Sequence, residues 1–255
     1  MDIPLQQMIG ALMIIGLRVS GLVLFAPFLG SATIPPRIKA MLVIAITAVL
    51  YPVFSPHLQT LDYSKWPMLV AVETILGVAI GVSTYVVFEA VQIAGQVLSI
   101  QMGYSLVNIL DPTTQVESTV VAVFHHSIAM LIFLALDVHH WILRAVANSF
   151  TYVPPGSVTL GPAFVQTVLR EGAIVLEVGL QIAAPVLAAT LLIDLILGLL
   201  GKASPQMPLM LLGPAVKSVL GVLILAATIS YWPRVFARHF EKSIAYTEQV
   251  LHLAH

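Results

Sequence analysis

Six long apolar stretches recur along the chain, at about 8–30, 39–54, 67–88, 119–136, 174–200 and 208–232, and they limit its fold more than any other feature. About 20 helical residues cross roughly 30 Å of hydrocarbon. In lipid every backbone N–H and C=O must find its partner within the protein, so stretches of this length are read as helices. The ten-residue alternation of an outer-membrane barrel is missing. The expected fold is therefore all-α: a polytopic membrane-type protein of about six apolar segments. Composition supports this where it counts. Only 9% of the 255 residues are charged and 59% are hydrophobic, whereas a soluble domain carries about a quarter charged residues. So few charges cannot cover a water-facing surface, and the solvent of this chain must be largely lipid or apolar protein.

Proline and glycine punctuate the apolar segments at Pro35-Pro36, 52–56, Asp111-Pro112, Pro154-Pro155-Gly156, Gly161-Pro162 and 205–208. No internal repeat, soluble domain or low-complexity linker is visible, so one domain over 1–255 is expected. The first apolar stretch follows an acidic rather than a basic start (Asp2) and is read as retained in the protein. The more polar tail at 233–255 forms an imperfect amphipathic helix with Arg234, Arg238 and Lys242 on it. Two readings stay open for it: a surface resting on membrane or partner, or a helix capping its own protein. With six crossings, the distribution of Lys and Arg outside the spans favours cytoplasmic termini.

Charged residues stand where lipid is expected. Arg18, Glu73, Glu89, Glu171, Glu177, Asp194 and Lys217 lie in or against apolar segments. Even on lenient scales, each costs about 2.5–3.5 kcal/mol at the centre of a lipid-facing helix. They are expected either to meet partner subunits or a water-filled path, or to pair internally. Glu89, Gln92, Gln96, Ser99 and Gly103 follow one another at spacings of three and four residues, which places them on one helix face. Such a polar line either hydrogen-bonds a neighbouring helix or borders an aqueous conduit. Next come Leu106, Val107, Asn108, Ile109, Leu110, Asp111, Pro112, Thr113, Thr114, Gln115, Val116, Glu117 and Ser118, a polar loop with an apolar approach. Pro112 biases Asp111 away from helix. Gly77 and Gly81, and likewise Gly16 and Ser20, stand at spacings that let helix backbones approach closely.

Several chemistries find no support. Cysteine is absent and the formal net charge is −1, so thiol chemistry is excluded and no basic cluster points to nucleic acid. His125-His126 and His139-His140 invite a metal reading, with Asp137 near the second pair. A metal site needs three or four converging ligands, and this spacing does not demand them. No metal or other cofactor is therefore expected, and the histidines are assigned to helix ends. Gly201-Lys202-Ala203 lacks the glycine and hydroxyl residue of a Walker loop. No GxSxG elbow is present either, and no catalytic site is expected.

An ordered series of short motifs goes further. It runs Ile93-Ala94-Gly95-Gln96, Gln101-Met102-Gly103 and Asp111-Pro112, then the apolar 130–136, His140, Ser149-Phe150 and Pro154-Pro155-Gly156. Ala184-Pro185, the segment from Asp194 to Leu200, Ser204-Pro205-Gln206-Met207, Gly213-Pro214 and Lys217 follow. In this order the series resembles the FliR family, whose counterparts in injectisomes are called SctT, and it looks closer to the flagellar branch. Tyr152-Val153 before Pro154 departs from the leucine-rich approach expected there. The resemblance implies a core subunit of the flagellar type III export gate, assembled with FliP and FliQ and associated with FlhB. Such a gate passes unfolded flagellar proteins across the inner membrane, within the basal body. It further implies a helical assembly held largely above the membrane plane, with no catalytic role for this subunit. By position, residues 106–118 match the family's plug loop. Glu89, Gln92, Gln96, Ser99 and Gly103, together with Arg18, Glu73, Glu177, Asp194 and Lys217, become candidates for subunit contacts. A small-molecule transporter using Glu89, Glu177 and Asp194 stays the alternative from the residues alone.

Overall fold

A computed structural model of the chain describes residues 5–58, 66–104, 120–157, 161–204, 206 and 209–253. Among these residues the regular structure is all helical. In order the α-helices are α1 (Leu5–Phe25), α2 (Pro36–Phe54), α3 (Trp66–Gln101), α4 (Val120–Ala135), α5 (Val138–Tyr152), α6 (Pro162–Ala203), α7 (Leu209–Thr228) and α8 (Trp232–Leu253). Short 3₁₀ turns at Ser55–Leu58 and Ile229–Tyr231 follow α2 and α7.

The boundaries have local causes. Pro36 opens α2, where a missing N–H costs nothing and the fixed φ suits the first turn. Lys39 Nζ donates to the Gly30 carbonyl at 2.9 Å, tying the start of α2 to the middle of the preceding loop. α3 stops at a Schellman turn. Gly103 takes φ 87°, its N–H donates to the Ile100 carbonyl at 3.1 Å, and the Tyr104 N–H reaches the Ser99 carbonyl at 2.9 Å. Between α4 and α5, Asp137 sits in the left-handed region at φ 55°, and the two helices form a bent pair.

Among the described residues, five helices or helix runs are long and apolar enough to cross a membrane, or six if the bent α4–α5 pair counts as one span. That agrees with the expected number of apolar segments, but the lengths differ. The segment expected at 67–88 is the first part of a 36-residue helix, and the one at 174–200 is the end of a 42-residue helix. At 1.5 Å per residue these measure about 54 and about 63 Å, well beyond a hydrocarbon core of about 30 Å. Hydropathy falls at Glu89, Gln92 and Gln96, and at Gln166, Arg170 and Glu171, yet the helix continues through both sets. The break expected over 52–56 also shifts. Pro52 lies inside α2, as Pro185 and Pro214 lie inside α6 and α7.

The helices are distributed over two compact units. The first comprises Met1–Val87, Phe133–Ala173 and His239–His255. Its centre is α1, whose Ile14, Ile15, Val19, Leu22 and Val23 are all buried. α1 packs backbone to backbone on α3. A Cβ on Gly77 would collide with the Arg18 carbonyl, one on Gly81 would stand 3.0 Å from the Leu22 carbonyl, and one on Gly21 would stand 2.7 Å from the Thr74 carbonyl. The Gly77–Gly81 spacing thus corresponds to a close helix crossing, whereas a Cβ on Gly16 would meet only the Thr47 side chain of α2, at 3.6 Å. α2, in contrast, buries only Thr47 and leaves Ile38, Met41, Ile44, Val49 and Val53 exposed. The end of α8 turns His239, Phe240, Ser243 and Thr247 inward and leaves Glu241 and Lys242 outside, so this part of the tail packs on its own protein.

The second unit comprises Phe88–Ile132 and Ile174–Arg238. Here the end of α3 is the axis, again through glycine. Gly95 abuts Ala122 of α4, Gly179 of α6 abuts the Ala90 carbonyl, and Gly221 of α7 abuts the Met102 side chain. His125 and Trp232 lie 4.6 Å apart between ring centroids, and Trp232 meets Phe236 edge to face at 6.0 Å.

Gly77→Ala should destabilise the protein by about 1–3 kcal/mol, because the Arg18 backbone cannot move aside for a new methyl group. Gly172→Ala meets nothing within 4 Å and should leave stability unchanged or raised. Thermal unfolding of the two variants in detergent checks the contrast.

Candidate functional site

Among the described residues, three polar centres that carry carboxylates interrupt the apolar packing. The deepest lies in the first unit. Arg18, on α1, and Glu73, on α3, are both 0% exposed. Arg18 Nε donates to Glu73 Oε2 at 2.7 Å, and Nη2 lies 2.6 Å from the same oxygen. Nη1 donates to Ser149 Oγ at 3.0 Å and Nη2 to the Val153 carbonyl at 3.1 Å. The Ser149 hydroxyl in turn donates to the Val146 carbonyl at 2.7 Å. The guanidinium carbon stands 4.3 Å from the centroid of the Phe150 ring, a cation–π contact, and Phe150 leans on Phe54 at 5.1 Å. One arginine thereby fastens α1 to α3 and to the end of α5. The alternatives weighed from sequence for these two charges were partner contact and internal pairing. Both side chains are fully enclosed here, so the internal pair describes them, and neither is available to a partner.

A second centre lies in the same unit at Glu171 of α6. Glu171 is buried, and its Oε2 accepts a hydrogen bond from Ser83 Oγ at 2.9 Å. Its other carboxylate oxygen is enclosed with no hydrogen-bond partner among the described residues. Ser243 of α8 donates to the Ser83 carbonyl, and Thr247 Oγ1 donates to the Ser243 carbonyl at 3.0 Å. Sequence reasoning flagged Glu171 and missed Ser83, its partner, and the two α8 hydroxyls that bond the backbone beside it. Ser83, Ser243 and Thr247 fall at buried positions of helices, and a hydroxyl at an apolar-periodic position was the available signal.

The third centre lies in the second unit and faces outward. Lys217 of α7 forms an ion pair with Asp194 of α6, whose Oδ2 also accepts from Gln101 Nε2 at 3.2 Å. The side chains of Lys217 and Asp194 are 18% and 43% exposed. A cleft beside them is lined by Leu197, Gly198, Gly201, Gly213 and Pro214. Apolar side chains project around the pair: Leu191, Leu192, Leu195, Ile196 and Leu199 on α6, and Val216, Val219, Leu220 and Leu223 on α7 are all exposed. Glu177 is exposed on α6, where Gln181 Nε2 donates to it at 3.1 Å.

Glu89, Gln92, Gln96 and Ser99 share one side of the unbroken α3, but their burial differs along it. Glu89 and Gln92 are half-buried, Gln96 is exposed and Ser99 is buried. Gly103 lies beyond the helix end, where its positive φ makes the stop and a Cβ would stand 2.8 Å from Pro214. Gly103 is therefore corrected from a face position to a helix terminator. The loop at 106–118 lies outside the described residues.

Helices of these lengths, with enclosed charges and a wide apolar exterior, define a polytopic helical membrane protein. A profile of bacterial export proteins, family 1, matches residues 9–243. The flagellar biosynthetic protein FliR of Escherichia coli K12 is 30% identical over 212 residues, covering 83% of this chain and 81% of that protein. FliR of Bacillus subtilis 168 is 25% identical over 224 residues, with 86% of each chain covered. The secretion system apparatus protein SsaT of Salmonella typhimurium LT2 is 29% identical over 171 residues, covering 67% of this chain and 66% of that one. The chain belongs to this family of bacterial export proteins, the FliR family.

Removing one member of the Arg18–Glu73 pair strands a buried charge. Glu73→Ala is expected to cost about 3–5 kcal/mol, while replacing both residues with apolar side chains of similar size should recover most of that loss. Chemical unfolding of the single and double variants measures the difference.

Proposed function

We propose that this chain is a structural channel subunit of the flagellar type III protein-export gate. It assembles with FliP- and FliQ-type subunits, associates with an FlhB-type subunit, and helps pass unfolded flagellar proteins across the inner membrane at the basal body. It supplies no catalytic chemistry of its own.

Family membership supports the setting, and one structural observation carries the reading. The apolar exteriors of α6 and α7 surround an ion pair that lipid would solvate poorly. Asp194 is 43% exposed among leucines on a helix about twice as long as a bilayer crossing. A sister subunit laid over this surface would cover the leucines and keep the pair supplied with polar neighbours. Asp194, Lys217 and the exposed Glu177 are on this reading residues of subunit contact, as are the outward members Glu89, Gln92 and Gln96 of the polar line. Residues 106–118 are assigned to the plug that closes the channel at rest.

Two measurements test the proposal. Co-expression with FliP- and FliQ-type subunits should give one stable complex, and a strain lacking this chain should lose motility. Recovery of the chain only by itself, together with normal motility in the deletion strain, contradicts the assignment. Removing residues 109–115 should leave the complex intact and raise its ion leakage. An assembled variant that conducts no more than the parent contradicts the plug role.

A further inference from the structure

We infer that Asp137, His139 and His140, at the turn between α4 and α5, form a binding site for a divalent transition-metal ion of the zinc class. The sequence alone did not require these residues to converge, since i, i+2 and i+3 spacing guarantees nothing at a turn. In the structure they do converge. One ligand atom from each of the three lies within 4.8 Å of the others. Asp137 Oδ1 stands 3.3 Å from His140 Nδ1 and 3.8 Å from His139 Nε2. Donor atoms about 2.0–2.2 Å from a tetrahedral ion sit roughly 3.3 Å from one another, so small side-chain rotations would bring all three onto one ion.

The local backbone explains the convergence. Asp137 occupies the N-cap position of α5 in left-handed conformation, yet its carboxylate makes no capping hydrogen bond. An aspartate at this position ordinarily accepts from the first turn of the helix; here the carboxylate is directed to the two imidazoles instead. His139 and His140 lie with ring centroids 4.2 Å apart. Phe133 flanks His139 at 6.1 Å, and His139 Nδ1 is enclosed, which leaves Nε2 as the nitrogen open to the cluster. All three side chains are accessible, at 66% for Asp137, 38% for His139 and 59% for His140.

The donor set selects the ion. Two imidazole nitrogens and one carboxylate oxygen suit Zn(II), Co(II), Ni(II) or Cu(II) better than Mg(II) or Ca(II), which prefer all-oxygen shells. Three protein ligands leave at least one position for water or an outside donor, the arrangement of an open rather than a closed zinc site. All three ligands belong to the N-cap and first turn of α5, so a bound ion would fix the start of that helix.

The test uses the tag-free full chain purified in its complex with FliP- and FliQ-type subunits. Co(II) is titrated as a spectroscopic probe, followed by displacement with Zn(II). The inference expects one Co(II) per chain with visible d–d absorption that Zn(II) abolishes. His140→Ala and Asp137→Asn, both at exposed positions, should each weaken Co(II) binding at least about tenfold, since even indirect partners of metal ligands contribute that much. Absence of one-per-chain binding overturns the inference. So does a Co(II) spectrum and affinity unchanged in both variants, which would mark the ion as adventitious and bound elsewhere.

Discussion

An arginine enclosed in apolar helices must be neutralised on every side, and that requirement organises the first unit. Arg18 uses Nε and Nη2 on Glu73, Nη1 on Ser149 and Nη2 again on the Val153 carbonyl. These partners come from α3, from α5 and from the residue just past α5. The groups can reach only because α1 and α3 touch backbone to backbone through Gly21, Gly77 and Gly81. Glycine packing and the ion pair are therefore one design: the close crossing brings the carboxylate within reach, and the pair fixes the register of the crossing. A buried pair of this kind contributes little net stability against an apolar replacement. Its effect is specificity, because any slip of α1 along α3 separates the charges.

Several helices outside this centre leave wide apolar faces uncovered. α2 buries one side chain, and the end of α6 and the middle of α7 present leucine and valine outward. Contiguous apolar surface of this kind calls for lipid or protein cover. α3 and α6 are too long for a perpendicular crossing of hydrocarbon. The charges are also unevenly placed. Arg18, Glu73 and Glu171 are enclosed, whereas Asp194, Lys217 and Glu177 reach the exterior. A chain that satisfies some charges internally and leaves others on an apolar exterior is suited to neighbours that are themselves protein.

Much of this was legible in the sequence, and the gaps have physical causes. The helical class and the approximate number of apolar segments follow from hydropathy, because lipid and apolar protein select the same side chains. Helix lengths do not follow from it. Helix persistence depends on backbone bonding, which Glu89, Gln92 and Glu171 do not interrupt. Gly77 and Gly81 pointed correctly to a close crossing, but their partner on α1 was not identifiable. The charges Arg18 and Glu73 were visible, yet 55 residues separate them and nothing local pairs them. Gly103 fitted the polar spacing and proved to be the helix stop, since periodicity cannot reveal a positive φ. Ser83, the partner of Glu171, went unnoticed because Ser and Thr are common in apolar helices.

The central claim is that the exposed apolar surfaces of α6 and α7 are covered by sister subunits rather than by lipid alone. Site-directed photo-crosslinking from Leu195 and Val219 in the assembled gate tests it most directly, both side chains being strongly exposed. The account predicts protein adducts with FliP- or FliQ-type subunits at both positions. Adducts with lipid only, at both positions in an intact and export-competent complex, would contradict it.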